Sequence, residues 1–221
     1  MTASFRVPAA PRVVALADVP WQPWRNGRGR TRELLAWPDA QGWRVRVSVA
    51  EIAQAAPFSA FEGVERWFAV IEGGGVDLRV DGAAHRLHVG AGPLRFDGGA
   101  AVEASPIEGP TRDLNLMVRG GSGSMAIAAD DVWWMPCSVA ERDAQAGCYA
   151  ARPVRWAAQL DARRTVVSLE GELPAHALLW FERAPRRLRV QAVARDESPG
   201  TTPGWWLVAF PQAPAPEHDG A

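Results

Sequence analysis

Short segments in which apolar and polar residues alternate recur along this chain, and they restrict its possible folds more than any other feature. The clearest segment runs from Trp43 to Ala50. On a strand, one face would carry Trp43, Val45, Val47 and Val49, and the other Arg44, Arg46, Ser48 and Ala50. A period of two is that of a half-buried β-strand, whereas a helix repeats its apolar positions every three to four residues. The pattern therefore predicts a β protein.

Turn signals separate these segments at regular intervals. Val76–Val80 repeats the alternation, and Asp81-Gly82 then supplies a two-residue hairpin turn that favours positive φ. Further strands are predicted at residues 67–71, 84–89, 94–96, 114–118, 125–128, 165–169, 177–181, 188–193 and 205–210. A spacing of about ten residues between short strands is typical of a sandwich or a barrel.

The length of the chain allows two β lobes. Its 221 residues, 48% of them hydrophobic, can form one large all-β domain or two fused sandwiches. The strand rhythm breaks after Ser138, where an Ala-rich polar segment predicts a short helix or a long connection. We expect an N-terminal lobe over residues 1–135, a C-terminal β-rich lobe over 136–210 reached through a connection near 136–160, and a mobile Pro-rich tail over 211–221.

Charge and residue usage exclude several functions. The net charge of -1 provides no long-range field for nucleic acid. All 24 basic residues are arginine, so there is no lysine for a Schiff base or a phosphate-binding P-loop. Cys137 and Cys148 are too few for a disulfide framework and lack the spacing of a zinc site. The N-terminus shows no leader pattern, and no apolar run approaches the ~20 residues that cross a bilayer. We therefore expect a cytoplasmic protein that does not engage a membrane.

The segment Pro23–Glu33 combines residue types that suit a binding loop. It contains one tryptophan, one asparagine, two glycines, one threonine, one glutamate and four arginines. Glycines allow close backbone approach, while guanidinium, amide and hydroxyl groups offer donors to a small polar, anionic ligand. The alternative is a surface loop with solvated arginines. A second segment, Ala55–Arg66, again mixes aromatic, hydroxyl and arginine side chains around a proline.

In order along the chain, these motifs resemble the HutD/Ves family. The resemblance rests on Trp24-x-Asn26-Gly27-x-Gly29-x-Thr31-Arg32-Glu33, Trp43-Arg44-Val45-x-Val47-Ser48, Pro57-Phe58-Ser59-x-Phe61-x-Gly63-x-x-Arg66, Phe96-Asp97-Gly98 and Asp113-x-Asn115-x-Met117. It spans roughly residues 16–120. Arg28 and Ala56 replace glycines that the family usually has, so either Arg28 takes a negative φ or its loop is reshaped.

The resemblance implies a cupin-like, two-lobed β-barrel or sandwich fold (a bicupin) with few short helices. It also implies a link to histidine utilisation and a ligand such as urocanate or a formylated or formiminated glutamate. Arg46 and Ser48 share a strand face, where a guanidinium fork and a hydroxyl suit a carboxylate. The predicted ligand-binding residues are Trp24, Asn26, Thr31, Arg32, Glu33, Arg46, Ser48, Phe58, Ser59, Arg66 and Asn115. Adjacent tryptophans at 133–134 and 205–206 indicate lobe packing, a homodimer or an ordinary covered core.

No cofactor is expected. His85 and His88 are three residues apart, so on a strand they point to opposite faces and cannot chelate one metal together. The best acid or base is Glu33, whose alternative role is an ion pair with Arg32 or Arg46. Three functions stay open: a metabolite sensor, a metal-independent isomerase or hydrolase with Glu33 as general base, and a surface for a protein partner.

Overall fold

The computed structural model describes residues 10–137, 144–162, 165–194 and 202–212, and these form an almost entirely β structure. Eighteen strands arrange into four sheets, and the helical structure in this part of the chain is one 3-10 turn, Leu16–Asp18. The all-β, two-lobed prediction is confirmed, as a sandwich whose sheets do not close into a barrel.

The N-terminal sandwich consists of an outer and an inner sheet. The outer N-terminal sheet has the order β5 (Ala56–Pro57), β10 (Val102–Pro106), β7 (Val76–Val80) and β8 (Ala83–Leu87). The inner N-terminal sheet has the order β2 (Gln22–Pro23), β3 (Gly29–Trp37), β4 (Val45–Ile52), β11 (Thr111–Arg119), β6 (Val64–Glu72) and β9 (Leu94–Asp97).

The C-terminal sandwich has the same plan. The inner C-terminal sheet has the order β1 (Arg12–Ala15), β16 (Ala177–Phe181), β13 (Gln145–Ala150), β18 (Gly204–Pro211) and β12 (Gly121–Ile127). The outer C-terminal sheet has the order β15 (Thr165–Leu173), β14 (Val154–Ala162) and β17 (Arg187–Ala192).

The three largest apolar cores of the described residues lie between these four layers. The largest joins the two inner sheets and contains Val47 of β4, Leu116 of β11 and Trp205 of β18. A second core fills part of the N-terminal sandwich, and a third fills the C-terminal sandwich. Trp205 and Trp206 point to opposite faces of β18, one into the core between the lobes and one into the C-terminal core. Both are buried within a single chain.

Two strands from the N-terminal part of the chain belong to the inner C-terminal sheet. β1 pairs antiparallel with β16, and β12 pairs antiparallel with β18. Strand pairing therefore crosses the predicted lobe boundary at residue 135, and the division into residues 1–135 and 136–210 stays a prediction.

The predicted connection over residues 136–160 is wrong in its second half, because β13 and most of β14 lie there. β13 is buried along its length between two sheets, so its small residues show no polar alternation. A Cβ on its Gly147 would approach the Leu179 carbonyl oxygen to 2.1 Å, which explains the glycine in a strand interior. The first residues of the Ala-rich segment, 138–143, lie outside the described residues. The tail was predicted over 211–221, but Pro211 ends β18, and residues 213–221 lie outside the described residues.

The β7–β8 hairpin and the orientation of Trp43 were both predicted from local sequence patterns. The hairpin is confirmed: β7 and β8 pair across Asp81 and Gly82, whose φ values are 47° and 86°. The predicted face of Trp43 is wrong. Trp43 precedes β4 and packs with Met117 on the face opposite Val45, because the alternation begins only where the strand begins.

Candidate functional site

A cavity of about 490 Å³ opens inside the N-terminal sandwich. Its lining comes from β2 and the turn that follows it, from β3, β4, β6 and β11, and from β5 with the residues after it. The lining residues are Gln22, Pro23, Trp24, Arg25, Asn26, Thr31, Arg46, Ser48, Ala50, Pro57, Phe58, Ser59, Phe61, Arg66, Asn115 and Met117. All the predicted binding residues except Arg32 and Glu33 are among them.

Strand register places the polar side chains of the cavity side by side. On β11, Asn115 faces Ser48 of β4 and Phe68 of β6, while Met117 faces Arg46 and Arg66 of the same two strands. Alternate residues of neighbouring strands share a face, so the polar positions of β4 and β11 converge on the cavity. The valines between them enter the core between the inner sheets.

Arg66 is the most deeply buried cation of the cavity, with 6% of its surface exposed. Its Nε and Nη2 both donate to Asn115 Oδ1, at 2.9 and 2.7 Å. Its guanidinium carbon lies 4.5 Å from the ring centre of Phe58 and 5.4 Å from that of Phe96. Burial lowers the pKa of Arg66 to about 10, so the side chain stays charged at neutral pH.

Asp113 lies behind Asn115 and is fully buried. Asn115 Nδ2 donates to Asp113 Oδ1 at 2.5 Å, which links the carboxyl group to Arg66 through one amide. Oδ2 of Asp113 has no hydrogen-bond partner among the described residues. Burial raises the pKa of Asp113 to about 7, against the opposing effects of Arg66 and of the Asn115 hydrogen bond. We refer to Asp113, Asn115 and Arg66 as the buried relay.

Sequence reasoning did not place Asp113 at the site, although it was part of the Asp113-x-Asn115-x-Met117 motif. The sequence does contain a signal for this placement: Asp113 and Asn115 are two residues apart, so both side chains lie on the same face of a strand. It also missed Arg25, Met117 and several apolar lining residues.

Glu33 and Arg32 do not line the cavity. Arg46 Nε donates to Glu33 Oε2 at 2.7 Å, so Glu33 is an ion-pair partner of Arg46 rather than of Arg32. Thr31 faces the cavity, and Arg32, one residue later, points to the other face of β3. Its Nη1 donates to the Leu16 carbonyl at 2.5 Å, and the guanidinium packs over the ring of Trp21. The geometry gives no support to a binding role for Arg32.

Aromatic side chains form part of the cavity wall. Trp24 Nε1 donates to Thr31 Oγ1 at 2.8 Å, which fixes the indole, and the Trp24 ring meets Phe58 edge-on at 6.1 Å. A Cβ on Gly29 would approach the Trp24 ring to 2.8 Å, so this glycine allows the indole to lie against β3.

Arg28 bridges the turn before β3 and the connection after β4 without lining the cavity. Its φ is not positive, so the negative-φ alternative is confirmed. Its carbonyl accepts hydrogen bonds from the amides of Ala53 and Gln54, and its Nη1 donates to the Ala55 carbonyl at 2.7 Å. A side chain in place of glycine therefore adds a contact between these two segments.

The charges of the lining suit an anion. Its cations are Arg25, Arg46 and Arg66, and none of the described lining residues is an aspartate or glutamate. Within the described ranges, no three His, Cys, Asp or Glu side chains form a group that could hold a metal ion. None of the helical structure described is long and apolar enough to span a membrane.

The fold and the cavity together define a cupin-like β protein with a polar cavity inside its N-terminal sandwich. Oxalate decarboxylase from Bacillus subtilis shares this fold at 7% identity, with a TM-score of 0.61 over 93% of this chain and 78% of that one. The chain belongs to the HutD family, which is associated with histidine utilisation: the family profile matches residues 16–197.

Two solved structures resemble most of the chain. A conserved protein of unknown function from Pseudomonas aeruginosa PAO1 is 25% identical, with a TM-score of 0.70 over 91% of this chain and 98% of that one. HutD from Pseudomonas fluorescens SBW25, in a formate condition, is also 25% identical, with a TM-score of 0.62 over 92% and 100%.

Curated relatives match about half of the chain. Protein Ves of Citrobacter koseri is 41% identical over 107 residues, which are 47% of this chain and 56% of Ves. A 21.2 kDa protein from the hutC 3' region of Pseudomonas putida is 36% identical over 104 residues, or 45% and 54%. The chain spans about half the length of the curated relatives it matches.

Proposed function

We propose that this protein is a cytoplasmic, regulatory sensor of a small acidic metabolite of histidine degradation, of the urocanate or formyl- or formiminoglutamate type. The observation that carries the proposal is the buried Arg66 in a cavity whose other charged lining residues are Arg25 and Arg46. A guanidinium shielded from water attracts a carboxylate more strongly than an exposed one, because the local dielectric is low.

The size and walls of the cavity support a small ligand. A volume of about 490 Å³ lies within the range of small-molecule sites. Phe58, Trp24 and Met117 offer apolar contact, while Ser48 and Asn26 offer polar groups at other points of the lining. A short carboxylic acid with a planar or extended carbon skeleton fits this arrangement of apolar and polar lining residues.

The comparisons support a metabolite of histidine degradation. The HutD family, to which the chain belongs, is associated with histidine utilisation. The Pseudomonas putida relative is encoded in the region 3' of hutC. Glu33, the base that an isomerase or hydrolase would need here, lies outside the cavity lining and is bound to Arg46. Binding without turnover is therefore the function we propose.

A thermal-shift titration tests this function. The purified protein would be titrated with histidine, urocanate, formiminoglutamate, formylglutamate and glutamate, with and without a divalent metal. A ligand at ~100 times its Kd adds about 2.7 kcal/mol, which raises the Tm by several degrees. We expect such a shift with at least one of the acids in the absence of metal.

Two variants show where the ligand binds. Arg66→Met removes the buried cation of the cavity, and Arg155→Met removes an exposed arginine that pairs with Glu172 in the C-terminal sandwich. The shift should disappear in the first variant and persist in the second. No shift from any acid in the wild-type protein, or an equal shift in both variants, would contradict the proposal.

A further inference from the structure

The buried relay contains a carboxyl group for which the proposed function has no use. Asp113 is 0% exposed and contacts Arg66 only through Asn115. Its Oδ1 accepts one short hydrogen bond, while its Oδ2 has no partner among the described residues. A buried carboxylate oxygen without a donor is costly, and protonation removes the charge that makes it so.

Few other groups near Asp113 could stabilise its negative charge. Its cross-strand neighbours are Ala50 of β4 and Val70 of β6, and the core that fills the rest of the N-terminal sandwich is apolar. Arg66 on β6 is the charged group that acts on Asp113 electrostatically, without a hydrogen bond between them. Arg46 on β4 acts on Arg66 and is itself paired with Glu33 of β3. The ionised carboxylate therefore depends on Arg66 for compensation.

A bound anion would compete with the Asp113 carboxylate for the positive charge of Arg66. When Asp113 is ionised, the charges of the relay cancel, and when it is protonated, Arg66 is left with a positive charge that faces the cavity. An anion bound at Arg66 also repels the Asp113 carboxylate, which favours its protonation. Anion binding and protonation of Asp113 must each favour the other, since the coupling between two sites is reciprocal.

We propose that the cavity binds its anionic ligand together with one proton, which passes from solvent to Oδ2 of Asp113. This inference rests on the proposed function, because it requires an anion at Arg66. It makes the sensor respond to pH as well as to metabolite. Since burial brings the pKa of Asp113 in the empty protein to about 7, the coupling falls in the range where pH can act on it.

The pH dependence of the affinity follows from this coupling between anion binding and protonation of Asp113. Below about pH 7 Asp113 already holds its proton in the empty protein, so affinity is independent of pH. Above about pH 7 each binding event must take up a proton, so affinity falls up to about tenfold for each pH unit. The decline continues until the pH reaches the higher pKa that Asp113 has in the complex.

Isothermal titration calorimetry at pH 7.5 measures the proton directly. Formate and formylglutamate serve as probes, each in PIPES and in Tris, whose ionisation enthalpies differ. The apparent binding enthalpy should differ between the two buffers by the difference of their ionisation enthalpies multiplied by the number of protons taken up per ligand, which we expect to lie between one half and one. At pH 5.5, in MES and in Bis-Tris, this buffer dependence should vanish. The same titrations give Kd at each pH.

Matched aspartate variants assign the proton. Asp113→Asn keeps the size of the side chain and the acceptor for Asn115, and it should bind without a buffer dependence. Asp77→Asn removes a carboxylate from the β7–β8 hairpin, where Asp77 pairs with Arg86, and should retain the wild-type dependence. If Asp113→Asn does not fold, the pH dependence of Kd in the wild-type protein decides the question.

Each outcome has one meaning. Proton uptake that is lost only in Asp113→Asn supports the inference. Binding in the wild-type protein with no buffer dependence, or uptake that persists in Asp113→Asn, overturns the inference and leaves the sensor proposal standing. No binding of either probe or of urocanate overturns both.

Discussion

Asp113 shows how the protonation of one residue can set the pH response of folding. Its pKa is raised from 3.8 to about 7 by burial, so the folded state binds more protons than the unfolded state between these values. Stability should fall as pH rises through this window, by up to about 1.4 kcal/mol for each pH unit, and should not change further above it. Urea unfolding between pH 4 and pH 8 measures the slope, and Asp113→Asn should flatten it. An equal slope in that variant would assign the effect to other groups.

Arg46 is expected to contribute to binding by a different route. It lines the cavity and is held by Glu33 at 2.7 Å, so Arg46→Ala removes a cation and leaves a carboxylate beside the lining. We expect urocanate or formylglutamate to bind more weakly by about 2 kcal/mol, the magnitude for losing a charge-assisted pair. Calorimetry would measure the change. The double variant Glu33→Gln with Arg46→Ala should recover part of it, and an unchanged affinity in Arg46→Ala would remove Arg46 from the site.

The β7–β8 hairpin provides a test of backbone conformation at the level of an element. Gly82 has a φ of 86°, and a Cβ there would meet no atom within 4 Å. Gly82→Ala therefore introduces strain without a clash, and we expect it to lower stability by about 1 kcal/mol. Gly92→Ala is the matched control, since Gly92 has open space and no positive φ. Urea denaturation of both variants measures the difference, and equal stabilities would contradict this account.

Elements with a local signal were predictable from the sequence, and elements defined by their neighbours were not. The alternation of β4 correctly placed Arg46 and Ser48 on one face, and the Asp81-Gly82 turn correctly placed the hairpin. β13 escaped prediction, because burial on both faces erases its alternation.

The residues of the cavity were likewise predictable only in part. Its motifs were visible in the sequence, but the orientation of Arg32 depended on the phase of β3, and the contact of Asp113 with Arg66 through Asn115 depended on strand register. The sequence by itself specifies neither of these relations.

At the scale of the whole molecule, strand exchange and the shared core should make the two sandwiches unfold together. β1 and β12 lie in the inner C-terminal sheet, and both inner sheets contribute to one apolar core. We expect a single urea transition that coincides for tryptophan fluorescence and far-UV circular dichroism. Two separated transitions would show that the lobes are independent.

Trp205 is the side chain that should report this coupling most directly. It is 1% exposed in the core between the inner sheets. Trp205→Ala should cost about 3–5 kcal/mol, the usual cost of deleting a buried tryptophan, and the single transition should shift as a whole. Trp133→Ala is the control, since the half-buried Trp133 contacts Arg187 and Arg189 near the surface and should cost about 1 kcal/mol or less. Equal costs would contradict the assignment of the core.

The hydrogen bonds of Arg28 have a consequence for the entropy of binding. They join the turn before β3, which carries the lining residues Trp24, Arg25 and Asn26, to the connection after β4. The turn is therefore restrained when the chain folds, before any molecule binds. Because these lining residues then lose less conformational freedom in the complex, a larger part of the contact energy remains as affinity.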